Sequence, residues 1–218
     1  MLETWFDSDA LGIVLLGTLA ATLLRCGAAD CRITIGALRG LIEKPFDVPQ
    51  AKAALAIQIR EIADDGFLRA EPHHFGDREF DSLSDLIISQ RSIQSLHGEH
   101  LKFKEARIAT AQTAIRVLDR AAELAPILGL AGTLIALAQA QGTPAAESGI
   151  VGAISMAVVT TLYGLVAANF LFSPLGSAIA RKSRREELDR DNVLEWLAGG
   201  IRKTGAAEAS SSAKQVAA

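Results

Sequence analysis

Aromatic side chains are scarce in this chain, at 5% of 218 residues, although half of all residues are hydrophobic. Together with a mean hydropathy of +0.26, that balance points to membrane spans rather than one large soluble core. With only two cysteines, Cys26 and Cys31, a disulfide framework is excluded; both are read as small packing residues facing a reducing compartment. Neither sign of charge dominates: 22 basic and 25 acidic residues leave a net −3 spread along the polar segments, which argues against a nucleic-acid partner. No Gly-rich phosphate loop, nucleophile elbow or zinc-hydrolase motif occurs, so no catalytic residue is assigned, no cofactor is implied and no enzyme activity is expected. All four histidines, His73, His74, His97 and His100, fall in one central segment. His97 and His100 share a helix face, but no further ligands accompany them, so no metal site is assigned and solvated surface is expected.

What is present is concentrated in two charge-free stretches, 124–146 and 148–180, where threonines sit among glycines and alanines. A hydrocarbon core of about 30 Å needs about 20 apolar residues in helix, so each stretch is long enough to cross it. Small residues let helix backbones approach where lipid supplies no hydrophobic drive, and hydroxyls bond across the contact. The pair therefore reads as a hairpin turning over 143–149. Pro126 lies inside the pattern and cannot donate to the carbonyl of Ala122, so a kink is expected there. The later stretch would extend about 50 Å as helix, so it should project beyond the bilayer, bend near Pro174 and continue through the charged 181–196 segment. The Ala- and Ser-rich tail after Gly199 has no packing face and is expected to be disordered.

A weaker span, 10–24, lies near the N-terminus, extended by snorkelling of Arg25 and an interfacial seat for Trp5 and Phe6. Acidic Glu3, Asp7 and Asp9 precede it and Arg25 and Arg32 follow, the reverse of a signal peptide. Basic flanks mark the cytoplasmic ends of spans. Arg25, Arg32 and Arg39 after the first span, Arg107, Arg116 and Arg120 before the second, and Arg181, Lys182, Arg184 and Arg185 after the third are satisfied by one topology. It has the N-terminus outside and the C-terminus in the cytoplasm.

The expected fold class is thus all-α: a membrane protein with three transmembrane helices, the second and third extending into a helical cytoplasmic region. Its parts are an N-terminal tail and first span (1–27), a helical cytoplasmic insert (28–122), a transmembrane hairpin (123–180) and a cytoplasmic C-terminal helix and tail (181–218). Within the insert, helices are expected over 31–43 and 51–65, with Pro45 and Pro49 between them and Gly66 beyond, a loop over 72–77, and helix again from Asp81. Leu101, Ile108, Ala111, Ile115, Leu118, Ala122, Ala125, Gly129, Gly132 and Ala136 recur at steps of three, four or seven, so one helix face runs unbroken into the second span.

Three hydroxyls stand out: Thr133, after Gly129 and Gly132, and the pair Thr160 and Thr161, between Ala157 and Gly164. A threonine in a span often bonds only its own backbone and serves packing. Here all three lie on or beside faces suited to another helix, which makes them candidates for an ion path.

At these residues the chain resembles the MotA/TolQ/ExbB family of proton-motive-force stator and energiser subunits. Residues 125–133, APILGLAGT, are similar to one family signature, and 157–165, VVTTLYGL after Ala157, leading to Phe172-Ser173-Pro174-Leu175, to the other. One span, an insert and a hairpin is the ExbB/TolQ plan, whereas Pro126 and Pro174 are placed as in MotA. Met156 stands where ExbB and TolQ carry an intramembrane glutamate. The resemblance implies a bacterial inner-membrane, ring-forming channel subunit, a homopentamer around a dimer of an ExbD/TolR/MotB-like single-span protein whose aspartate the threonines would face. The transported ion would be H⁺, with Na⁺ equally served by hydroxyls. Pro126, Gly129, Gly132, Ala157, Gly164 and Pro174 would then shape and pack the helices. The rival reading is a structural membrane scaffold in which the same residues only pack.

Overall fold

The computed structural model describes residues 8–65, 74, 76–90, 93–141 and 147–216. Among them every regular element is helical: α1 (Ser8–Cys26), α2 (Ala28–Ile42), α3 (Val48–Asp65), α4 (Arg78–Gln90), α5 (Ile93–Gln141), α6 (Glu147–Val166), a π-helical segment (Ala167–Phe172) and α7 (Ser173–Val216). Two compact units share them, one of residues 1–43 and 109–182, the other of residues 44–108 and 183–218.

Two stretches, Ser95–Ala138 and Ile154–Lys203, belong to helices long and apolar enough to cross a membrane; α1 and α2, in the first unit, meet that test only jointly, as a pair bent by 118°. The bend falls at Gly27, whose φ of +85° a side chain would strain. Helix α2 thus begins at Ala28, earlier than expected, and its C-terminal carbonyls at Gly40 and Glu43 accept from the Lys182 ammonium, a favourable charge at a helix C-terminus. Large apolar side chains point outward here: Leu24 is 87% exposed, Phe170 79% and Leu134 68%, while Thr18, Thr22 and Thr160 are buried. Thr18 and Thr22 donate to the carbonyls of Val14 and Thr18, so their hydroxyls are satisfied inside their own helix. Apolar outside and small or hydroxylic inside is how helices pack in lipid.

Helix α5 continues across Pro126. Along the expected face, Ala125, Gly129, Gly132 and Ala136 are buried, whereas Leu101, at its start, is 53% exposed. Where a bend near Pro174 is expected, a π-helical segment lies immediately before it, ending in a Ser173 N–H that donates to the Ala168 carbonyl five residues back. A proline has no N–H and crowds the carbonyl four residues earlier; a widened turn just upstream accommodates both. Most of the expected 143–149 turn lies outside the described residues, and α6 already includes 147–149.

The second unit is an ordinary helical core. Leu55 and Ile62 of α3, Phe80, Leu83 and Ile87 of α4, Leu96 of α5, and Val193, Leu194 and Leu197 of α7 bury their side chains together. Asp47 caps α3, accepting from the Gln50 N–H at 3.0 Å, which leaves Pro49 in the first turn, where a missing N–H costs nothing. Asp77 caps α4 through the N–H groups of Glu79 and Phe80, so this helix starts at Arg78, before Asp81. Gly66 and most of the expected 72–77 loop lie outside the described residues. The tail corrects an expectation: α7 is helical to Val216, Ile201 packs into the core, and the Ala-rich sequence beyond suits a helix because alanine has the highest intrinsic helix propensity.

Candidate functional site

The close approach of α5 and α6 is set by glycines. A Cβ on Gly129 would lie 2.9 Å from the Thr160 carbonyl oxygen and 3.2 Å from the Thr161 Cα; one on Gly164 would lie 2.6 Å from the Ala125 carbonyl oxygen and 3.1 Å from the Pro126 Cα. These neighbours are backbone, which cannot move aside as a side chain would. Gly132 faces the Thr160 side chain, whose Cβ, Cγ2 and Oγ1 stand 3.1 to 3.3 Å from the Cβ it lacks. Ala157 is buried in the same pair of helices, and Pro126 is half-buried.

This packing separates the three threonines. Thr160 is fully buried and donates to the Ala157 carbonyl at 2.9 Å. Thr133 and Thr161 instead line one apolar groove of about 490 Å³, with Leu137, Ile154, Ala157, Val158, Leu162 and Leu165. Their hydroxyls donate to their own helices, Thr133 to the Leu130 carbonyl at 2.6 Å and Thr161 to the Ala157 carbonyl at 3.2 Å. With its proton committed to the backbone, each Oγ1 offers lone pairs only. The groove is thus built to accept hydrogen bonds, from a protonated carboxyl or a hydrated cation, and contains no group that ionises. Pro174 is exposed at the start of α7 and does not line it.

One site was misread from sequence. His100, expected at the solvated surface, is 3% exposed and lies between Glu79 Oε1 at 2.5 Å and Asp191 Oδ1 at 2.8 Å; His97 is exposed. Its partners are 21 and 91 residues away along the chain, beyond the reach of helical spacing. Sequence reading also missed Asn169, which lies in the π-helical segment and donates to the Leu165 carbonyl.

Comparison with known proteins agrees with the pattern of the helices. The model of the MotA/TolQ/ExbB proton channel family matches residues 82–192, just over half of the chain. Motility protein A of Cereibacter sphaeroides is 27% identical over 202 residues, covering 88% of this chain and 77% of that protein. Motility protein A of Borreliella burgdorferi is 32% identical over a shorter stretch, 35% of this chain and 29% of that protein. The MotAB stator complex from Bacillus subtilis includes a chain that superposes with a TM-score of 0.75 at 20% identity, covering 91% of this chain and 79% of that one. For C. jejuni MotAB the TM-score is 0.78 at 16% identity, over 93% and 82%. The chain belongs to the MotA/TolQ/ExbB proton channel family, a family of membrane stator and channel proteins.

Proposed function

We propose that this family member is the ring-forming subunit of a channel driven by the proton motive force, energising a partner machine together with a single-span protein whose membrane helix carries an aspartate. One observation carries the reading: two charge-free helical stretches, 124–141 of α5 and 148–166 of α6, locked together at Gly129, Gly132 and Gly164, present Thr133 and Thr161 in one groove. A path without a titratable group cannot relay protons by side-chain protonation, so the ionisable residue must come from another chain. A protonated aspartate would donate to the lone pairs that Thr133 and Thr161 offer; a deprotonated one would find no donor there and would turn towards water. The groove therefore discriminates between the two protonation states, as a machine coupling proton passage to movement requires. Thr160 serves the path at one remove, by seating Gly132 and so fixing the distance between α5 and α6.

The assembly in this reading is a homopentamer around a partner dimer in the bacterial inner membrane. Three spans place the N-terminus outside and the C-terminus in the cytoplasm, with the 28–122 insert and the chain from 181 onward also cytoplasmic. The basic flanks of all three spans support that orientation. The ion in this reading is H⁺, the cation a partner carboxyl carries by protonation, although hydroxyl lone pairs beside a carboxylate would serve Na⁺ as well.

The test is a Thr133→Val, Thr161→Val double variant, isosteric and purified with its partner. Ion-driven activity should fall while the complex stays intact. Full activity would leave the threonines as packing residues, as hydroxyls bonded to their own helices allow; no ion-driven activity in the intact wild-type complex would favour the structural scaffold.

A further inference from the structure

A histidine with a carboxylate on each ring nitrogen is an unusual thing to bury. A neutral imidazole has one N–H and one lone pair, so it satisfies only one of two acceptors; the imidazolium satisfies both. The spare proton does not reside on a carboxyl instead. The other oxygen of Glu79 accepts from Arg107 Nη1 at 2.5 Å and Arg190 Nη1 at 2.9 Å, and both oxygens of Asp191 accept from Lys104 Nζ at 2.9 and 2.7 Å. Each of these bonds favours an ionised carboxylate.

We propose that His100 is a proton-binding site which, as imidazolium, ties the first turn of α4 to α7 by donating to Glu79 and Asp191 at once, and which lets go of one of them when its proton leaves. The charged groups around it come from three helices. Asp77, preceding α4, and Glu79 within it face Arg107 of α5 and Arg190 of α7; Glu186 and Glu187 of α7 bind Arg190 and Arg107; Lys104 of α5 binds Asp191. Five carboxylates thus surround three permanent cations, and the imidazolium is the fourth. Its loss leaves a surplus of two negative charges around a buried imidazole.

The hydrogen bond to Glu79 raises the proton affinity of His100 above the ordinary histidine value; burial opposes this, and Asp191 adds to it. Since the folded-state pKa lies above the unfolded one, this contribution to stability is complete below about pH 6.5 and is lost as pH rises through the folded value. Glu79 and Asp191 set the acid limit. Burial pushes both carboxyls up, but His100 and the neighbouring cations outweigh it and hold both below their usual ranges, so their contributions fade only as pH falls through those lowered values. The tie is therefore firm at mildly acidic pH and slackens as pH rises through the folded-state value of His100.

Hydrogen exchange of the α4 amides in the purified full-length chain, corrected for base catalysis, tests this without any need for the protein to conduct, so a failure of the channel reading would leave it standing. In the wild type, protection should hold to about pH 6.5 and then fall by about tenfold for each pKa unit that folding has added. His100→Gln, which cannot carry the proton, should be less protected at neutral pH and lose the alkaline step. Flat wild-type protection from pH 6.5 to 10, or an unchanged step in His100→Gln, would overturn the proposal. If that variant does not fold, imidazole carbon NMR of the wild type decides: one of the four histidines should titrate above the ordinary value, and none doing so would sink it.

Discussion

The two units of this molecule are built on opposite rules. In the first, Leu24, Leu134 and Phe170 face outward and Thr18, Thr22 and Thr160 are buried; in the second, Phe80, Leu55 and Leu197 are buried and charges encircle them. The first is held by backbones brought close and by a mainly alanine cluster that also buries Leu118, Phe172 and Ile179, the second by large side chains that fill space and by paired charges. Each rule follows from the surroundings: lipid gives no reward for hiding a leucine, whereas water does. Sensitivity to substitution should differ accordingly, with charge deletion harmful in one unit and added volume harmful in the other.

The largest effect is expected at Glu79, which is 2% exposed and accepts from Arg107, Arg190 and His100. Glu79→Gln keeps the shape but leaves buried cations short of an anion, a change that costs about 3 to 5 kcal/mol when no other partner remains. Arg107 keeps Glu187 and Arg190 keeps Asp77 and Glu186, so the loss should sit near the lower end, measured as a fall in the denaturation midpoint. Next comes Gly164→Ala. A single methyl would meet the Ala125 carbonyl oxygen at 2.6 Å, and overpacking of this kind costs about 1 to 3 kcal/mol. Assembled complex on native gels should drop sharply; a normal yield would mean that the helix pair has slack and that the first unit does not depend on close backbones.

Much of this architecture is legible in the sequence because it is written at short range. Hydropathy over 124–146 and 148–180, the prolines and the basic flanks all act within a few turns of one helix, and they carry the all-α class and the family. What is not legible depends on distant partners. Nothing in the spacing of His97 and His100 reveals that one is exposed while the other meets carboxylates from two other helices. In the hairpin, sequence supplies the hydroxyls but not their division, because adjacent helix residues point about 100° apart and only the seat of Thr160 against Gly132 decides which of the pair turns to the groove.

That division sharpens the contrast at the scale of one hydroxyl. Thr161→Val removes a groove-facing oxygen at nearly constant shape, and a hydrogen bond between neutral groups is worth about 0.5 to 1.5 kcal/mol, so ion-driven activity should fall by roughly two- to tenfold if that step limits the rate. Thr161→Ser should restore most of it. Thr160→Val, altering a hydroxyl that meets only the Ala157 carbonyl, should act on assembly more than on conduction. Equal losses of conduction in the two valine variants, with intact complexes, would erase the distinction between groove and contact.

The smallest effect is expected at Glu123, and it is the strictest control, because the chemistry repeats that of Glu79 with burial removed. Its carboxylate accepts from Arg120 at 2.8 Å and lies 4.0 Å from Arg25, so it too has two arginine partners. Yet its side chain is 52% exposed and both arginines are nearly as open, so water solvates all three charges whether or not they meet. Exposed pairs of this kind are screened within about 8 Å at physiological salt and give little net stability. Glu123→Gln should therefore leave the denaturation midpoint where it was and should be insensitive to added salt. A loss matching that of Glu79→Gln would mean that pairing with arginine, rather than the low dielectric around it, governs the strength of these bridges, and the buried network would lose its claim to hold the second unit together.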